Sequence, residues 1–172
     1  MTAQAKNQPD AGSEFIISRV FDAPRERVFA AWADPEQMRH WWGPKDFKVI
    51  TSKLDLRPGG VFHYCLRAPN GGDMWGKFVY RTIAAPEQLV FVNSFSDEAG
   101  NITRHPMSPG WPLELLSEIS FAPQEEKTLL TVRWTPVNPT EAERQTFAMG
   151  QASMQQGWTG TLDQLAAYLA RT

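Results

Sequence analysis

Cysteine is almost missing from this chain of 172 residues, with Cys65 the single example. That excludes an internal disulfide, a redox pair and any metal site made of thiolates. Histidine is nearly as scarce. His40, His63 and His105 fall in separate stretches, whereas a metal needs at least three convergent ligands, so neither a metal nor a cofactor is expected. Charge of one sign is lacking too, since 17 Lys and Arg stand against 19 Asp and Glu. The basic residues are scattered, which leaves no stripe to neutralise phosphates and no nucleic-acid partner. No apolar run approaches the roughly 18 residues of a membrane span. Met1 to Ser13 is polar, carries Pro9 and Gly12, and lacks the roughly 7 to 15 apolar residues of an export signal. A flexible tail over 1–13, a single domain over 14–172 and a soluble, cytoplasmic protein are therefore expected. No Ser-His-Asp order and no nucleotide loop is present. Pro58-Gly59-Gly60 has no Lys-Ser/Thr pair and no helix start behind it, so it reads as a hairpin turn, beside a surface ion pair of Asp55 and Arg57. No catalytic residue is assigned, and a binding protein is expected over an enzyme.

Aromatic side chains are plentiful, with seven Trp and ten Phe. Glu14 to Phe21 is β-branched and aromatic and ends at Asp22-Ala23-Pro24, which reads as a strand running into a helix. Val28, Phe29 and Trp32 recur at helical spacing up to Asp34. Pro35 then starts a second short helix that ends by Trp41-Trp42-Gly43-Pro44. Beyond that breaker, Phe47 to Leu56, Val61 to Leu66, Met74 to Ile83 and Leu89 to Phe95 read as strands of an antiparallel meander with hairpin-short turns. Ser96 to Pro112 reads as a long irregular segment and a candidate lid. Leu113 to Phe121 and Thr128 to Trp134 form another hairpin. Pro139-Thr140 with Glu141 and Glu143 marks a helix start, and the last helix is expected to run unbroken to the C-terminus as a rod of about 45 Å. Its interior Gly150, Gly157 and Gly160 suggest a bend or a close backbone approach. A curved seven-stranded antiparallel sheet needs this amphipathic helix in its concave face, which gives an α+β helix-grip fold with two short helices between strands 1 and 2. The space left between sheet and helix is the expected ligand cavity.

Residues placed inward on this reading are Trp32, Trp41, Trp42, Phe62, Tyr64, Phe78, Tyr80, Phe91, Trp111, Trp134, Phe147, Met154 and Trp158. Trp41-Trp42 suits either a ligand wall or a core plug. His105, near Arg104 and Trp111, is a lid contact or an exposed loop histidine. Tyr64, Tyr80 and Arg104 are candidate polar anchors, the alternatives being a tyrosine bonded to backbone and a solvated arginine. His63 shares its strand face with Val61 and Cys65, opposite Phe62, Tyr64 and Leu66, and is expected outside. Glu114 and Glu118 read as solvated.

Several landmarks recur together: Phe21-Asp22-Ala23-Pro24 with Val28 and Trp32, Trp41-Trp42-Gly43-Pro44, and Asp55 to Phe62. Pro86 to Phe91, Trp111-Pro112-Leu113-Glu114, and Gly157-Trp158 with Leu162, Leu165 and Leu169 follow. On these, the chain resembles the activator-of-heat-shock-protein-ATPase-like family, within the START and pollen-allergen helix-grip superfamily, from about Phe15 to Leu169. The resemblance implies a fold and a cavity, and relatives include lipid carriers, hormone receptors, aromatic cyclases and chaperone regulators. It implies an apolar small molecule as partner, with a chaperone as a possible second one and a cyclase or hydrolase role as a further alternative. Both monomer and homodimer stay open. The family's name-bearers carry a separate N-terminal chaperone-binding domain, where here a short polar tail precedes the first strand. Thr82 stands where relatives often carry an acid.

Overall fold

A computed structural model describes residues 12–172. Of the expected tail only Gly12 and Ser13 fall within it, and there the Gly12 carbonyl accepts from Gln151 Nε2 at 3.4 Å. Strand β1 (Phe15–Phe21) leads into α1 (Arg25–Ala33) and α2 (Pro35–Met38). Pro24 and Pro35 stand where their missing N–H groups cost nothing, and Asp34 Oδ1 accepts from Glu36 N at 3.0 Å. The chain continues as β2 (Lys48–Leu54), β3 (Val61–Arg67), β4 (Asp73–Ala84) and β5 (Gln88–Ser96). Then come β6 (Ile102–Thr103), β7 (Leu115–Gln124), β8 (Lys127–Pro136), α3 (Glu141–Met149) and α4 (Gln151–Arg171).

All strand pairs are antiparallel, in the order β1-β8-β7-β5-β4-β3-β2, with β6 added to the end of β5. Two departures from the sequence reading matter. The segment expected to be irregular carries β6, because the Asp97 carboxylate accepts from the Asn101 backbone and side chain at 2.8 and 3.0 Å and folds the chain back onto Phe95 and Ser96. The final rod is interrupted. Gly150 ends α3, its N–H reaching the Thr146 and Phe147 carbonyls at 3.1 Å, and α4 is then 21 residues, about 31 Å at 1.5 Å per residue. A Cβ on Gly150 would sit 2.9 Å from the Trp111 ring, so the break is where that indole seats.

Met154, Trp158, Leu162, Leu165 and Leu169 recur at steps of three and four, and all are buried, which presses one face of α4 into the concave sheet. Thr161 Oγ1 donates to the Gly43 carbonyl at 3.0 Å, and Gln164 Nε2 reaches the Trp41 carbonyl at 3.3 Å. Arg19 pairs with Asp163 across the rim. The sheet's inner face alternates as its sequence predicts. Phe62, Phe78, Tyr80, Leu89, Phe91, Ile119, Leu130 and Val132 are buried there, and the Phe78 and Phe91 rings stack at 4.0 Å. Among the described residues no helix is long and apolar enough to cross a membrane.

Candidate ligand-binding site

The groove between sheet and α4 is filled at one end and open at the other. At the filled end α1, α2 and the C-terminal part of α4 close over the strands. Trp32, 1% exposed, stacks on Trp158 at 6.2 Å, meets Trp41 edge-on at 4.8 Å, and touches Phe121 at 6.3 Å. Trp41 satisfies its indole N–H on the Ala31 carbonyl at 3.1 Å. At the open end the segment between β6 and β7 lines a cavity of about 750 Å³. Trp42, Trp134 and Trp158 form the partition between the two ends. Trp158 meets Trp42 at 5.9 Å and Trp134 at 5.4 Å, both edge-to-face.

Of the residues expected inward, Trp42, Tyr64, Trp134, Met154 and Trp158 line this cavity, and Trp111 and His105 line it from the roof. Trp32, Trp41, Phe62, Phe78, Tyr80, Phe91 and Phe147 lie behind its wall. The physical reason is plain. Alternation along a strand reports which face looks inward, not whether a helix has filled the space above it. Trp41 is thus the core plug of the pair and Trp42 the wall. Phe147 supports Trp111 from beneath at 5.5 Å. Arg104 lies outside the cavity, where its guanidinium reaches Glu143 Oε2 at 3.0 Å and the Trp111 carbonyl at 3.4 Å. It fastens the roof rather than entering the site.

The roof is tied down from several sides. Glu143 Oε2 also accepts from the Leu113 N–H at 3.2 Å, while its Oε1 accepts from the Thr140 N–H at 3.1 Å. These bonds, first that to Thr140 and then the Arg104 pair, hold its carboxyl below the usual range. His105 packs on Phe95 at 4.6 Å and accepts from the Met107 N–H at Nδ1, 3.0 Å away. Burial lowers its pKa, so the neutral ring with its proton on Nε2 is the resting form. Met107 and Met149, 88% and 87% exposed, stand at the cavity rim.

The wall is mainly apolar, with a few polar groups set into it. Asn93 lies on the inner face of β5, between Phe91 and Phe95, opposite Phe78 and Leu115. The fully buried Ser117 donates its hydroxyl to Asn93 Oδ1. Tyr64 lies across the sheet floor because β4 carries Gly76 opposite it, and a Cβ there would come within 2.4 Å of the phenolic oxygen. Burial pushes the Tyr64 hydroxyl far above its ordinary pKa. The Trp42 indole N–H is turned to that oxygen without completing a hydrogen bond, and among the described residues the Trp134 N–H also has no partner. Sequence reasoning missed Asn93, Ser117 and Gly76. The signal was there, since Leu89, Phe91, Asn93 and Phe95 share one face of a strand and an amide in that series needs a reason. His63 lies on the opposite face, as expected, stacked on Trp75 at 5.0 Å. Among the described residues no group of three His, Cys, Asp or Glu side chains converges as a metal site would.

No curated protein sequence matches this chain. Solved structures match over nearly its whole length. A protein of Arthrobacter aurescens is similar at 29% identity, covering 96% of this chain and 91% of its own, with a TM-score of 0.78. A protein of Mycobacterium smegmatis is similar at 23% identity over 96% of both chains, with a TM-score of 0.76. One of Nitrosomonas europaea is similar at 21% identity, covering 95% of this chain and 97% of its own, with a TM-score of 0.74. The last two carry the fold alone. The family model described as "Activator of Hsp90 ATPase homolog 1-like protein" matches residues 22–170, nearly the whole of the gripped helix and its curved sheet, and the chain belongs to that family.

Proposed function

We propose that this protein binds an apolar or aromatic small molecule in the cavity between the sheet and α4. The observation that carries the reading is the cavity itself, about 750 Å³, within the range of about 300–1,000 Å³ typical of small-molecule sites. Five tryptophans, Trp42, Trp75, Trp111, Trp134 and Trp158, line it, and flat rings of this kind favour flat or alicyclic ligands through stacking and edge contacts. Native mass spectrometry of protein taken from its own host tests the proposal. A small molecule retained in the gas phase and released on denaturation is the expected result. An empty spectrum, together with no binding of any aromatic compound in titration, would overturn it.

The family description names a chaperone ATPase activator, and action on a chaperone through the outer surface is the second reading. It predicts that added protein raises the ATP turnover of Hsp90. Unchanged turnover with no association in pull-down removes it.

A further inference from the structure

The groups that line the cavity also define the kind of ligand, an inference that rests on the binding reading above. Among the described residues, no Asp, Glu, Lys or Arg side chain stands in the wall. His105 is held neutral by the Met107 N–H at its Nδ1 and by burial. A charged group on the ligand would thus lose water and gain no counter-charge, which is strongly unfavourable.

Two polar groups on the floor offer donors. Ser117 occupies the acceptor oxygen of the Asn93 amide, which leaves the Asn93 Nδ2 group, among the described residues, without a protein partner. Tyr64 stays protonated because burial raises its pKa, and its oxygen faces the Trp42 N–H, so its own proton is free to point elsewhere. Gly76 decides where that hydroxyl lies. It pairs with Phe95, and Asn93 is two residues back on the same face of β5, so Gly76, with the hydroxyl above it, and Asn93 are diagonal neighbours about 7–8 Å apart at the backbone. The Asn93 side chain covers part of that backbone span, which leaves room for one ligand oxygen to lie within hydrogen-bond reach of both donors.

We infer that the cavity selects an uncharged aromatic or alicyclic carbonyl compound, whose oxygen accepts from Asn93 Nδ2 and the Tyr64 hydroxyl, with Gly76 as the gap in the sheet floor that lets Tyr64 reach it.

Isothermal titration with four matched probes tests this: 2-acetylnaphthalene, 2-ethylnaphthalene, 2-naphthoate and 2-(aminomethyl)naphthalene. At neutral pH the ketone should bind about tenfold more tightly than the ethyl compound, and both ions should bind more weakly than the ketone. Asn93→Ala and Tyr64→Phe should each cut the ketone preference severalfold while leaving the affinity for 2-ethylnaphthalene within about threefold, which also reports that the variant is folded. Gly76→Ala should act like Tyr64→Phe. Equal binding of ketone and hydrocarbon by the unaltered protein would overturn the carbonyl inference and leave the cavity reading standing, as would tighter binding of the naphthoate. A ketone preference that survives in both Asn93→Ala and Tyr64→Phe would overturn the assignment of these donors. Failure of all four probes to bind would overturn the inference together with the cavity reading beneath it.

Discussion

Arg104 meets Glu143 at 3.0 Å, and through that contact the segment over the cavity is fastened to the first turn of α3. The carboxylate serves three partners, two of them backbone N–H groups that it satisfies, those of Leu113 and Thr140. Glu143→Ala should therefore cost about 2 kcal/mol, the order expected when a cap and a part-buried amide lose their acceptor. Arg104→Ala should cost under about 1 kcal/mol, because its side chain is half exposed. Urea denaturation gives both values. Hydrogen exchange at the Leu113 amide should quicken markedly in Glu143→Ala and little in Arg104→Ala.

Acid should weaken the roof in two stages. His105 has a folded pKa below its ordinary 6.5, so the unfolded chain takes up its proton first, and stability falls as pH drops from 6.5 toward the folded value. Glu143 has a folded pKa below its ordinary 4.5. Its contribution is complete above 4.5 and is lost as pH falls through the folded value. Thermal melts from pH 8 to pH 3 should show both declines, the upper one missing in His105→Gln and the lower one reduced in Glu143→Gln. A melt that is flat between pH 7 and 5 in the unaltered protein would contradict the neutral His105.

Gly157 sets stability against binding. It lies on the cavity side of α4, and a Cβ there meets nothing within 4 Å. Replacing an interior helical glycine with a good helix former gains about 1 kcal/mol. Gly157→Leu should raise the melting temperature and, by projecting into the cavity, lower the affinity for aromatic probes at least tenfold. A variant both more stable and equally good at binding would place the ligand elsewhere.

Wall and core should part company under substitution. Phe78 is buried and stacked on Phe91 at 4.0 Å, so Phe78→Ala should cost about 3–5 kcal/mol. Trp134→Phe keeps an apolar ring at the wall and removes an indole N–H that has no partner among the described residues. It should cost under about 1.5 kcal/mol while altering probe affinity severalfold. Chemical denaturation and calorimetric titration of the two variants separate the roles.

The fold was legible because its signals are local. The period of two in Leu130, Val132 and Trp134, the prolines at 24 and 35, and the apolar steps from Met154 to Leu169 each name an element and the face it buries. Strand β6 was hidden, since two residues carry no period of their own and depend on the Asp97 to Asn101 turn. The break at Gly150 depends on where Trp111 seats, a contact between positions far apart in sequence. The same limit applied to the site. Trp41 and Trp42 are identical in kind and adjacent, and only the placement of α2 beneath α4 makes one a plug and the other a wall. Asn93 was visible as a polar residue in an inward series, yet its partner Ser117 lies on the neighbouring strand.

The most direct test of the central claim is a crystal structure of the protein grown with 2-acetylnaphthalene. The account predicts the naphthalene between Trp42, Trp134 and Trp158, with the carbonyl oxygen turned to the floor at Asn93 and Tyr64. A cavity closed by Trp111 and Met154, or a compound bound only on the outer face of the sheet, would contradict it.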